Sequence, residues 1–145
     1  MLNLLRKLSI AFILLFALLN SVSAEETLVE ERLPLPQGTL NSDEIFYLFN
    51  DRTVHSVTAV RGRESISYYD PNGEIRQLRN DIKRVGRWRV TDHDRICLQM
   101  EDLPEKCRII VEDNGHYKKY IVRKDGKHQH SVSYPRFLTG NVLGL

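Results

Sequence analysis

The chain has 145 residues, with 21 Lys and Arg against 19 Asp and Glu, two cysteines and one tryptophan. That length fits a single domain able to bury roughly two-thirds of the surface its unfolded chain exposes. A surplus of +2 is too slight to point to nucleic acid, which selects a concentrated basic field.

Arg6 and Lys7 precede an apolar stretch at residues 8–19, and Val22-Ser23-Ala24 places small residues ahead of Glu25. The stretch is shorter than the roughly 20 residues of a transmembrane helix, and the three parts together read as a secretory signal peptide over residues 1–24. Its removal takes two positive charges with it, so 121 residues of zero formal charge are expected to remain. No later apolar run could span a bilayer, and no cysteine lies near residue 25 to take a lipid anchor. The expected location is periplasmic or secreted.

Residues 25–40 are rich in Glu and carry Pro34 and Pro36, which favours an extended polar linker. Asn41-Ser42-Asp43-Glu44 reads as a helix start: Asn41 or Ser42 can accept bonds from free N–H groups, and the two acids suit the positive helix end. Ile45, Leu48 and Phe49 follow at helical spacing, so a short helix ending near Asn50 should dock its apolar stripe on the remainder.

The remainder, residues 41–145 with that helix included, reads as one β-rich domain. Extended runs are expected at residues 53–60, 65–69, 73–79, 85–90, 96–100, 107–111, 117–122 and 129–133, where β-branched and aromatic residues alternate with polar ones. Asp70-Pro71-Asn72-Gly73, Asp113-Asn114-Gly115 and Asp125-Gly126 supply turn chemistry between them. Successive hairpins without crossovers predict an antiparallel up-and-down barrel, or a curled sheet, of about eight strands. The short N-terminal helix should close one end.

Cys97 and Cys107 are the only cysteines, and in an oxidising compartment such a pair is expected to form a disulfide. A redox-active pair is instead usually Cys-x-x-Cys at a helix start. One detail resists simple pairing: apolar residues alternate away from Cys97 in its run, whereas Ile109 and Val111 share the side of Cys107. A β-bulge near the cysteines, or a bond between loop ends, is expected to reconcile the two.

Thr53, Gly73, Gly86-Arg87-Trp88, Ile96-Cys97, Cys107 and Gly140-Asn141 form a pattern of a strand, a turn glycine, a Gly-x-Trp strand and two cysteines flanking a loop. In this pattern the chain resembles small exported bacterial proteins grouped as a domain of unknown function, number 995, over roughly residues 41–145. The resemblance implies an exported β-rich domain and supplies no activity.

Three clusters carry candidate chemistry. His128 and His130 would share one face of a strand and could hold a metal with a further ligand from His55, His93 or His116; solvated surface histidines are the simpler reading. Arg76, Arg79, Lys83, Arg84, Arg87 and Arg89 concentrate positive charge and would suit an anionic envelope component or another exported protein, unless they merely form a solvated sheet face. Asp92-His93-Asp94 could orient a histidine as a base, although turn chemistry explains both aspartates. Gly-x-Ser-x-Gly, His-Glu-x-x-His and Ser-x-x-Lys are absent. The function expected is therefore a non-enzymatic binding or interaction domain that uses the arginine face or the barrel mouth and needs no cofactor. A hydrolase inhibitor and a metal site at His128 and His130 are the alternatives.

Overall fold

The computed structural model describes residues 34–145, so the expected signal peptide, its cleavage site and most of the linker lie outside the described residues. One helix, α1 (Ser42–Phe49), precedes eight strands: β1 (Arg52–Thr58), β2 (Glu64–Tyr69), β3 (Glu74–Arg79), β4 (Ile82–Thr91), β5 (Arg95–Met100), β6 (Lys106–Asp113), β7 (His116–Val122) and β8 (His128–Thr139). Each strand pairs antiparallel with its sequence neighbour and β8 returns to β1, which closes the barrel. The up-and-down architecture expected from the hairpin pattern is what the chain adopts.

Local chemistry explains the elements. The Asn41 side chain accepts from the Glu44 N–H at 2.9 Å while the Glu44 carboxylate accepts from the Asn41 N–H at 2.8 Å, a reciprocal cap that satisfies two otherwise free donors. Ser42 does different work. Its hydroxyl donates to the Thr91 carbonyl at 2.6 Å, and its N–H donates to Asp94 at 2.7 Å, which ties the helix start to the β4–β5 turn. Asp70 accepts from the Asn72 N–H at 3.0 Å, and Gly73 closes that turn at φ 88°, where a residue with Cβ would be strained.

Two strands, β4 and β8, outrun their expected lengths the most. Asn80 and Asp81 both take left-handed backbone, at φ 51° and 60°, and form the two-residue hairpin that these residue types tolerate best after glycine. Consequently β4 starts at Ile82, three residues earlier than expected, and Arg84 becomes a strand residue. At the other end β8 runs through Pro135 to Thr139. The register against β1 shifts between His55 and Val57, and a proline fits such an irregularity because no ladder donor is required of it there.

Strand alternation sends Val54, Tyr69, Ile75, Trp88, Ile96, Ile110 and Tyr134 into one half of the barrel, where they meet Ile45 and Phe49 of α1. Phe49 is fully buried and stands edge-on to Tyr134 and Phe137, with ring centroids 5.3 and 5.5 Å away. The Trp88 indole N–H donates to the Asp70 carbonyl at 2.8 Å, which satisfies the one polar atom of a large core side chain. Gly86 lies in β4 between Ile75 and Met100, and a Cβ there would meet the Gln99 carbonyl oxygen at 2.2 Å. Gly86→Ala is expected to force these strands apart at a cost of about 1 to 3 kcal/mol, measurable as a lower urea midpoint.

Cys97 and Cys107 are bonded and stand directly opposite each other in the β5–β6 ladder. This corrects the expectation of a bulge or a loop-end bond: Ile96 to Leu98 pair with Lys106 to Arg108 in regular antiparallel register. The pattern mismatch has another cause, for it is Lys106 and Arg108 that face the barrel interior, opposite Leu98 and Ile96. Beyond that short ladder, Leu40 donates to the Ile110 carbonyl at 2.9 Å and the Glu112 N–H donates to Gly38 at 2.8 Å. Residues 38–40 thus lie alongside β6 near Val111. Reduction of the disulfide, which closes a separation of 10 residues, is expected to cost about 2.5 to 3 kcal/mol. Thermal unfolding with and without reductant should show a lower but still cooperative transition.

Candidate ligand site in the barrel lumen

The same alternation that builds the core lines the other half of the barrel with polar and cationic residues. At the end away from α1, inward positions fall on Gln77 and Arg79 of β3, Arg84 of β4, Arg108 of β6 and Lys119 of β7. They surround an open cavity of about 300 Å³ whose remaining wall is largely apolar, notably Leu98, Met100, Ile121 and Val132. Among the described residues, no aspartate or glutamate lines it. Side chains therefore fill the helix half of the barrel, while the opposite half is left open.

Charge in this cavity is poorly balanced. Among the described residues, of the cations that line it only Arg84 has an acidic partner, Glu101, reached by two bonds of 3.1 and 3.3 Å. Arg108 donates to the Cys107 carbonyl at 2.7 Å, and Arg79 keeps a buried Nε with no hydrogen-bond partner among the described residues. Among the described residues, the Lys119 ammonium has a ring neighbour and no carboxylate: it sits 5.9 Å from the centroid of Tyr134. Burial, reinforced by the charges of Arg108 and Arg79, lowers the Lys119 pKa to about 8. Burial also lowers that of Arg108, with Arg95 adding to the effect. Lys119 retains some accessible surface, and because it lines the cavity that surface is open to a ligand entering the lumen. A cationic enclosure of this kind attracts anions, since its low-dielectric walls focus the field.

The expected arginine cluster divides between two sides of the wall. Arg79 and Arg84 face the cavity, whereas Lys83, Arg87 and Arg89 alternate outward and are exposed. Arg76 also lies outside, bonded to Asp70 at 2.8 Å and to Glu74, and it donates to the Leu145 carbonyl at 2.6 Å. Arg89 pairs with Glu105 at 2.7 Å. The six residues therefore form no single surface.

The histidine pair does share a face of β8, with His130 opposite Tyr120 and His128 opposite Val122. The His130 ring lies 3.1 Å from the Ser133 hydroxyl. Among the described residues, the one group of three metal-ligating types within reach of one another is Cys97, Glu105 and Cys107, and its sulfurs are already bonded to each other. In Asp92-His93-Asp94, Asp94 holds the helix start. His93 and Asp92 are both exposed and 3.7 Å apart, too loose to fix a general base.

Arg108 and Lys119 were not among the expected site residues. Their signal lies in alternation: Lys106, Arg108 and Ile110 occupy one face of β6, and Tyr117, Lys119 and Ile121 one face of β7. Compared with known proteins, the chain matches no family model, no curated protein and no solved structure.

Proposed function

We propose that this protein is an exported, non-enzymatic binding domain whose ligand enters the barrel mouth opposite α1. The observation that carries the reading is the half-filled lumen: an open cavity lined by Arg79, Arg108 and Lys119 with no carboxylate among the described residues of its walls. Cavities of this size are typical of small-molecule sites. Buried cations without partners cost stability, a cost that a purely structural barrel would avoid by placing apolar residues there. The outer face is unsuited to lipid, since Lys83, Arg87, Arg89 and Arg136 are exposed on it.

Filling the cavity tests this reading. Purified protein and a Val132→Trp variant, both checked for folding and for the disulfide, would be equilibrated with small molecules from an envelope extract and weighed under native conditions. A bound species on the unmodified protein that the variant lacks is the expected result. Equal retention by both would place binding elsewhere and remove the lumen from consideration.

A further inference from the structure

The geometry points to a single-headed organic anion with a short apolar tail, of the medium-chain carboxylate class, as the ligand of the lumen; this inference rests on the lumen being the binding site. Three features of the cavity select that chemistry together. The first is charge: Arg79, Arg108 and Lys119 approach the space from three different strands, without an acidic partner among the described residues. The unpartnered Nε of Arg79 and the ammonium of Lys119 offer donors of the kind a carboxylate accepts. Desolvation of Lys119 by burial, with like charge from Arg108 and Arg79, means that an anion placed among them relieves repulsion as well as forming bonds.

The second feature is the apolar wall. Leu98, Met100 and Val132 also pack against the core, and Leu103 and Pro104 stand in the β5–β6 connection at the mouth. An inorganic anion would satisfy the cations and leave this surface in water. A tail would cover it, each methylene adding hydrophobic stabilisation. Size is the third. About 300 Å³ equals the liquid share of about ten waters, which admits a ligand of about ten non-hydrogen atoms. A long acyl chain would have to project through the mouth.

Calorimetric titration with sodium octanoate, 1-octanol and inorganic phosphate separates these contributions. Octanoate should bind one per chain, at least tenfold more tightly than either of the others. Lys119→Met should weaken octanoate at least tenfold and bring it close to octanol, whereas Lys119→Arg should restore most of the affinity. Arg87→Gln, on the outer face, should change nothing. Octanol binding as tightly as octanoate would overturn the anionic head, and phosphate binding as tightly would overturn the tail. If octanoate fails to bind while an envelope molecule is still retained by the unmodified protein and lost in Val132→Trp, the ligand class is wrong and the lumen remains the site. Failure in both assays removes the lumen reading itself.

Discussion

Phe49→Ala should destabilise the protein by about 3 to 5 kcal/mol, the range for deleting a large buried aromatic. Phe49 is the largest fully buried side chain of α1 and packs on Tyr69 of β2 and on Tyr134 and Phe137 of β8. Its loss removes the side chain that plugs one end of the barrel, and the eight-residue helix is too short to persist in water without that docking. The exposed neighbour Tyr47 provides the control, since Tyr47→Ala should cost under about 1 kcal/mol. Urea denaturation followed by Trp88 fluorescence reads both, because Trp88 lies in the same core cluster as Phe49.

The opposite sign is expected at Lys119. Lys119→Met should stabilise the ligand-free protein at pH 7 by about 1 to 3 kcal/mol, as when buried charge is replaced by an apolar side chain of similar length. The pH dependence follows from linkage. With a folded-state pKa of about 8 against the ordinary lysine value of 10.5, the unfolded chain holds more protons between those limits, so stability rises with pH across that window. The penalty is fully present below about pH 8. The other charged groups that face Lys119 in the lumen are Arg79, Arg84, Lys106 and Arg108. The buried phenols Tyr69 and Tyr134 have raised pKa values and cost stability only at higher pH, as the unfolded chain begins to ionise its tyrosines near pH 10. Urea midpoints at pH 7 and pH 9 should therefore rise more steeply in the parent than in Lys119→Met. A variant no more stable than the parent at pH 7 would mean that the ammonium is already solvated or paired.

Much of the fold is legible in the sequence because hairpin turns and period-two alternation are local signals. The Asp70 to Gly73 turn, the cap at Asn41 and the outward placement of Arg87 and Arg89 opposite Trp88 and Val90 can all be read from neighbours in the chain. The candidate site is less legible, for two physical reasons. Proximity in sequence joined Arg76 to Arg89 into one cluster, yet alternation sends Arg79 and Arg84 inward and Arg87 and Arg89 outward. The cavity also gathers Arg79, Arg108 and Lys119 from β3, β6 and β7, a convergence that only barrel closure creates. The apparent conflict between the faces of Cys97 and Cys107 was the trace of it. Regular pairing of those residues requires Lys106 and Arg108 to point inward, so the mismatch marked a cationic lumen rather than a bulge.

The most direct test of the lumen as the binding site is an amide NMR titration of isotope-labelled protein, residues 25–145, with octanoate. Shifts should concentrate on inward positions near the open mouth, at Gln77, Arg79, Met100, Arg108, Lys119 and Val132, and leave the helix end around Asn41 to Phe49 undisturbed. Shifts concentrated instead on the outward positions Lys83, Arg87 and Arg89, with the lumen unchanged, would contradict a ligand inside the barrel.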